Sequence, residues 1–336
     1  MTDRNQAIVE FLTSHGWGDA RREPLAADAS FRRYERLWRG ADRMLLMDAP
    51  PPREDVRPFV TIAAHLHRLG LSAPRIDAAD IEAGLLLLED LGDDTYTRLI
   101  AAGRDETPLY ELAIDALAQL HRRFDAAAAA DVPPYDDARL LDEAALLVDW
   151  YLPAVRNAPT PDALRADYLA LWRDALAAAR AVPATLVLRD YHVDNLMLLD
   201  GRSGTAACGL LDFQDAVIGP VSYDVVSLCE DARRDVPAAL TRRLLDRYFD
   251  AMPGLDRDEF MASYAVMGAQ RSAKILGIFT RLDRRDGKPV YLKHIARVWR
   301  WLEGDLAHPA LRGMRAWIDR EIPAGDRVAP QPGGAS

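Results

Sequence analysis

Apolar and polar positions follow two different periods along this chain, and the change from one to the other divides it. Over residues 5–15, Ile8, Val9, Phe11 and Leu12 share a helical face, and Gly16 supplies a stop. Residues 24–38 and 44–47 then read as the first strands of a small twisted sheet, with 27–31 as the connecting turn. A helix follows over 56–69, and the apolar run 85–88 is a buried strand. From Pro108 onward helical spacing dominates. Leu109, Leu112, Ile114, Leu117 and Leu120 lead to His121, read as structural, and further helices fall at 140–152, 163–181, 222–232, 238–249, 257–281 and 290–302. Three short apolar runs, at 186–188, 196–199 and 209–211, interrupt this helical half and read as short strands.

Composition narrows the setting. The chain has 336 residues, enough for two lobes around sizeable cores, with 49% hydrophobic and 28% charged residues, as in ordinary soluble globular proteins. Its formal net charge of -10 disfavours a nucleic-acid partner, which basic surface would hold. The two cysteines, Cys208 and Cys229, lack metal-ligand spacing and read as buried thiols of a reducing compartment. The N-terminus lacks the long apolar core of a signal peptide, and no stretch reaches the length of a membrane span. These features set the expectation of a cytoplasmic enzyme with no membrane partner. The segment 323–336, rich in Pro, Gly and Ala, reads as disordered.

The chemistry concentrates where the short strands are. Each of the three runs abuts a carboxylate or carboxamide: Asp190, Asn195 and Asp212. Phosphoryl transfer needs Mg²⁺ against the β- and γ-phosphates and a carboxylate beside the acceptor hydroxyl. Asp190 suits the second role, and Asn195 and Asp212 offer the hard oxygen donors that Mg²⁺ prefers. Taken singly, an Asp or Asn in a turn more often caps backbone groups, so the argument rests on the whole string.

That string is Asp190-x-His192-x-x-Asn195, then an apolar run into Asp212-Phe213, then Gly219-Pro220 and Asp224 opening an apolar helix. It resembles the aminoglycoside phosphotransferase and choline kinase superfamily. The resemblance implies an α+β, bilobal, protein-kinase-like fold with a small N-terminal sheet lobe and a larger, mainly helical C-terminal lobe. It places a nucleotide-binding lobe at 1–88, a hinge at 89–94, a helical lobe at 95–322 and a tail at 323–336. It implies ATP and Mg²⁺ as cofactors, Asp190 as the catalytic carboxylate, Asn195 and Asp212 as metal ligands, His192 as the loop histidine on the acceptor side, and Asp224 as a structural aspartate. The antibiotic kinases usually carry His-Gly before the catalytic Asp, whereas this chain has Leu188-Arg189, which makes an antibiotic acceptor less expected.

The proline-rich segment at 48–60 and Leu85-Leu-Leu-Leu-Glu-Asp-Leu-Gly-Asp93 narrow the likeness. They are similar to the anomeric sugar kinases of bacterial cell-wall recycling, which phosphorylate N-acetylmuramate and N-acetylglucosamine at C1. This implies a small sugar as substrate and a uridylyltransferase downstream. Glu89 and the backbone of Leu91 then meet the adenine. For Asp93 and Asp94, contact with the ribose and a capping role both stand.

Two features depart from the kinase pattern. The phosphate-covering turn has Ala27, Asp28, Ala29 and Ser30 in place of glycines, so Ser30 and Phe31 are the candidates for backbone approach. The third-strand Lys position carries Met47, and the helix after it has no Glu to pair with such a Lys. Arg33 is the candidate replacement, and loss of activity, leaving a nucleotide-binding scaffold, is the alternative. On the acceptor side, Arg271 is the candidate for a lactyl carboxylate, against an ordinary ion pair. Trp150 and Tyr151 are candidates for covering the apolar face of a sugar ring, against a core role. A protein kinase is disfavoured, because no Ala-Pro-Glu segment follows Asp212.

Overall fold

The computed structural model describes residues 2–25 and 31–333. The proposed phosphate-covering residues Ala27, Asp28, Ala29 and Ser30 lie outside the described residues. The chain divides into two compact units, each built from two separate stretches: Met1–Leu120 with Val193–Ala216, and His121–His192 with Val217–Ser336.

The first unit is built on a five-stranded antiparallel sheet of order β1-β2-β3-β5-β4, from β1 (Arg21–Pro24), β2 (Arg33–Arg39), β3 (Asp42–Asp48), β4 (Ile76–Asp80) and β5 (Leu85–Glu89). Strand alternation gives this sheet two apolar faces. Leu37, Met44, Leu46, Leu85 and Leu87 pack on one side with Ile8, Phe11 and Leu12 of α1 (Thr2–Ser14) and with Trp17. The positions between them, Tyr34, Arg36, Leu45 and Leu88, turn to the other side. Gly84, at φ +66°, turns the chain into β5 where a Cβ would stand 2.1 Å from the carbonyl oxygen of Ala49. The unit also holds α2 (Arg57–Arg68), α3 (Tyr96–Ala101) and α4 (Glu106–Arg123), and the late strands β7 (Leu196–Leu198) and β8 (Cys208–Leu210) pair antiparallel. Both cysteines of the chain are buried thiols outside any disulfide.

The second unit is helical and centred on α10 (Arg257–Asp286), a helix of 30 residues. Asp256 caps its start through the Glu259 N–H, and Gly287 at φ +64° ends it. Around it lie α5 (Asp137–Leu146), α6 (Leu152–Arg156), α7 (Asp162–Ala179), α8 (Tyr223–Cys229), α9 (Ala238–Ala251), α11 (Ile295–Asp305) and α12 (Arg312–Glu321), with β6 (Ala184–Val187) paired to β9 (Val217–Pro220). The aromatic core holds Tyr168, Trp172, Trp299 and Trp317. Gly277 lets α10 approach the end of α5, because a Cβ there would lie 2.3 Å from the Leu146 backbone. The helix expected over 140–152 is broken by a π turn at Leu147–Tyr151.

The segment beyond Pro323 has specific contacts where composition suggested disorder. A short turn, Ala324–Asp326, leads to carbonyls at Asp326 and Val328 that accept from the Tyr151 hydroxyl, and the Gly333 N–H donates to Asp283. No helix among the described residues is long and apolar enough to cross a membrane.

Candidate active site

In the second unit, β6 runs into the loop that carries Asp190. Asp224, 1% exposed, straps this loop by accepting the Leu188 N–H at 2.6 Å and the Arg189 N–H at 2.9 Å. Burial pushes the Asp224 carboxyl up to about 7 against the pull of those two bonds. Arg189 sits at φ +71°, the left-handed region that glycine enters freely, which accounts for the glycine antibiotic kinases place at this position. An arginine there is held by Asp224 at its amide and by Glu143 at its guanidinium.

Asp190 is half-buried. Burial raises its pKa, but Lys274, Arg271, His192 and Arg189 outweigh this and hold the carboxyl below its usual range. His192 is buried, with Nε2 3.1 Å from an Arg233 nitrogen, and burial followed by that arginine lowers its pKa. A neutral imidazole beside an ionised Asp190 is therefore the state at neutral pH.

A cavity of about 480 Å³ opens beside Asp190, lined also by Glu143, Arg189, Arg271, Lys274 and Phe279. Glu143, from α5, is its hub. It pairs with Arg189, accepts from the Tyr135 hydroxyl, and stands 3.4 Å from the Lys274 ammonium, which donates to Tyr223 Oη at 2.8 Å. Desolvation opposes both charges, yet Lys274 and Arg189 keep the Glu143 pKa low, while Tyr223 and Glu143 keep the Lys274 pKa high. Arg271 differs from its neighbours. It is 5% exposed, and its guanidinium makes no hydrogen bond or ion pair with another described residue. Sequence reasoning missed Glu143, since no local motif marks it.

Within electrostatic reach of Arg271, the Glu230 and Asp305 carboxyls are buried beside each other, with the Tyr264 hydroxyl close to Glu230. Gly268 makes room, because a Cβ there would lie 2.5 Å from Asp305 Oδ2. Burial pushes Glu230 up to about 7 and raises Asp305 as well. The folded protein thus binds protons more tightly than unfolded carboxyls, which titrate near pH 4. Stability from this pair is complete below that value and declines as pH rises to about 7, by at most about 1.4 kcal/mol per pH unit and proton. Urea unfolding at pH 5, 6, 7 and 8 should show a smaller loss with pH in Glu230→Gln than in wild type. Equal slopes would separate the pair from the pH response.

The aromatic candidates need correction. Tyr151 is 0% exposed, and its hydroxyl is engaged by the carbonyls of Asp326 and Val328 and by Trp299 Nε1. It is a core residue rather than a sugar platform. Trp150 is half-buried in the same π turn and is not among the residues lining the cavity.

The first unit carries the other half of the predicted set. The β7–β8 register pairs Leu196 with Leu210, and the Leu211 N–H donates to the Asn195 carbonyl at 2.9 Å. This pairing brings Asn195 and Asp212 to one end of a cavity of about 270 Å³, whose walls include Tyr34, Leu45, Leu88 and Met197. Asp212 sits at φ +56°, and its carboxyl is 42% exposed. A carboxamide and a carboxylate that water can reach fit a magnesium ion whose remaining ligands are phosphate and water. Leu91 and Glu89 line the same cavity. The Glu89 carboxylate is held by Arg202 at 2.5 Å, and its N–H donates to the Arg75 carbonyl. Asp90 and Asp93 are both occupied by Arg36, which fastens the loop after β5.

Phe31 is 58% exposed, and its N–H donates to Glu54 Oε1 at 3.0 Å. Arg33 is exposed, whereas the cation beside the Asp212 carboxylate is its neighbour Arg32, at 3.4 Å. The two arginines differ in setting because adjacent strand positions point to opposite faces. Met47 is fully buried in β3, and α2 carries no acidic residue.

An antiparallel sheet unit and a helical unit, with a strapped aspartate loop and a Asn/Asp pair on a β hairpin, define a kinase-like phosphotransferase. Residues 21–260 match the model of the phosphotransferase enzyme family. The chain is 41% identical to the N-acetylmuramate/N-acetylglucosamine kinase of Caulobacter vibrioides, over 97% of this chain and 99% of that protein. It is 40% identical to the Pseudomonas aeruginosa protein of the same name, over 90% of each. Among solved structures it is similar to the GDP complex of aminoglycoside 2'-phosphotransferase-IIIa, with TM-score 0.61, 16% identity, and coverage of 90% of this chain and 98% of that one. The chain belongs to the phosphotransferase enzyme family. It is an ATP-dependent phosphotransferase that acts on an alcohol group.

Proposed function

We propose that the protein is a sugar kinase that transfers the γ-phosphate of ATP to the anomeric C1 hydroxyl of N-acetylmuramate and of N-acetylglucosamine. The observation that carries this reading is Arg271, a buried guanidinium with no hydrogen-bond or ion-pair partner among the described residues, in the cavity that also holds Asp190. N-acetylmuramate bears a lactyl carboxylate, and Arg presents a planar fork that matches one. Six cations and three carboxylates line this cavity among the described residues, which supports an anionic or neutral acceptor over a polycationic antibiotic. The names of the two relatives agree with that preference.

In this reading Asp190, kept ionised by its cationic neighbours, orients the C1 hydroxyl and accepts its proton late in transfer. Positioning then carries most of the rate, as expected for a loose transition state. Asn195 and Asp212 would hold Mg²⁺, which supplies charge neutralisation at the β- and γ-phosphates. His192 and Arg233 shape the wall next to Asp190, and Glu143 fixes Arg189 and Lys274. The product, a sugar 1-phosphate, suits a uridylyltransferase acting next in the cytoplasm.

The test is ATP- and Mg²⁺-dependent turnover of both acetylated sugars, choline and kanamycin, with ³¹P NMR locating the new phosphate. A C1 phosphate is expected on both acetylated sugars. Arg271→Ala should lower kcat/KM for N-acetylmuramate about 100-fold, the scale of a lost charge-assisted contact. The same change should leave N-acetylglucosamine within about threefold, since that sugar offers no carboxylate. Transfer to choline or kanamycin alone would overturn the acceptor assignment.

A further inference from the structure

The missing third-strand lysine leaves a question of charge. Kinases bring a cation against the nucleotide phosphates from that strand and brace it with a Glu from the next helix. Here β3 offers Met47, fully buried, and α2 offers no carboxylate. The register shows what can stand in. Tyr34 pairs with Met47 and Arg36 with Leu45, so these four share the face of the sheet that lines the Asn195–Asp212 cavity. Arg32 lies two residues before Tyr34 and continues the same alternation by one step.

We infer that Arg32, braced by Glu54, is the phosphate-binding cation that replaces the β3 lysine. Its guanidinium approaches the proposed metal ligand Asp212 at 3.4 Å and Glu54 Oε2 at 3.8 Å. The Arg32 side chain is only 14% exposed, and its Nε is shielded from solvent with no hydrogen-bond partner among the described residues. At 3.8 Å the Glu54 contact is an ion pair too long for a hydrogen bond, so the donor is oriented but not consumed. Glu54 reaches from the proline-rich loop before α2, and its other oxygen accepts the Phe31 N–H at 3.0 Å. One carboxylate therefore fixes both the backbone where β2 begins and the charge just after it. Arg36 and Arg43, which the same alternation places on this face, are both held by Asp90, and Arg36 by Asp93 as well. The hydroxyl of Tyr34 feels the same field: burial raises its pKa to about 12, with Arg32 opposing and Asp212 adding to the shift.

The pairing repeats the Lys-Glu arrangement with both members moved. The cation comes from the start of β2 and the carboxylate from a loop. This accounts for a Met at the usual lysine position in a chain that keeps Asp190, Asn195 and Asp212. It rests on the ATP dependence of the enzyme and not on the identity of the sugar.

The experiment is equilibrium binding to the full-length protein with Mg²⁺ present, comparing ATP, ADP and adenosine for wild type, Arg32→Ala, Arg32→Lys, Arg33→Ala and Glu54→Gln. Arg32→Ala should weaken ATP and ADP about 30-fold, the loss expected for one charge-assisted phosphate contact, and leave adenosine within about twofold. Arg32→Lys should recover most of the ATP affinity, and Glu54→Gln should weaken ATP about fivefold. Unchanged ATP affinity in Arg32→Ala overturns the inference. Parallel loss of adenosine and ATP also overturns it, because that pattern marks a structural role. A loss confined to Arg33→Ala would overturn it in favour of the neighbouring side chain.

Discussion

Replacing Asp190 by Ala should reduce kcat by about 10³- to 10⁴-fold while ATP affinity stays within about threefold of wild type. The size follows from what the carboxylate is asked to do. It lines the cavity proposed to hold the acceptor, and four cationic or polar neighbours hold it ionised against burial, ready to take a hydroxyl proton. His192 is the nearest alternative, but burial and Arg233 lower its proton affinity. Asp190→Asn keeps the shape and one acceptor oxygen while removing the charge, and should fall between Ala and wild type. Single-turnover kinetics with saturating ATP measure this directly. A loss below tenfold in Asp190→Ala would move the catalytic carboxylate elsewhere, and unaltered ATP binding separates a chemical defect from a folding one.

Asp224→Ala should be the most damaging change to stability outside the aromatic core. It removes the acceptor of two N–H groups in a loop where water cannot replace it. Each stranded buried donor costs about 1–3 kcal/mol, so the variant should lose roughly 2–6 kcal/mol, a large part of the 5–15 kcal/mol that holds a typical protein folded. Activity should fall with it, since Arg189 is kept in a left-handed conformation by the same carboxylate. Urea unfolding gives the stability loss. Hydrogen exchange at the Leu188 and Arg189 amides reports the local effect and should accelerate more than exchange in α10. Asp224→Asn retains one acceptor and should lose about half as much. Wild-type protection of both amides in Asp224→Ala would remove the strap from the account.

The parts of this site that the sequence made legible are those where chemistry and chain order coincide. Asp190, Asn195 and Asp212 fall within 23 consecutive residues, flanked by apolar runs short enough to be strands, so their neighbours announce them. Asp224 was legible through the same string. Glu143 was not, because α5 contributes it from 47 residues before Asp190 and its partners are set by helix packing. Arg33 and Arg32 illustrate a finer limit. Both are arginines beside a turn, and a shift of one position along a strand exchanges the two faces of a sheet, so only the register with β3 distinguishes them. Tyr151 shows the converse. Its place in the core depends on a π turn that adds a residue to the helical repeat, and on carbonyls some 175 residues further along the chain.

The interleaved make-up of the two units carries a consequence for how the polypeptide comes off the ribosome. The sheet unit needs Val193–Ala216, which are synthesised only after His121–His192 of the other unit have emerged. Until then the Ser72 and Asp94 carbonyls lack the amides of Leu210 and Leu198 that they accept in the finished structure. Neither unit can be expressed as one uninterrupted stretch of gene, and a nascent chain halted after Leu120 contains the segments of all five strands of the sheet but neither of the oxygen donors, Asn195 and Asp212, proposed to hold its metal. The proposed metal-holding half of the nucleotide site is therefore completed only when the chain is about two-thirds made, and a product truncated before Asp212 would be unable to complete it.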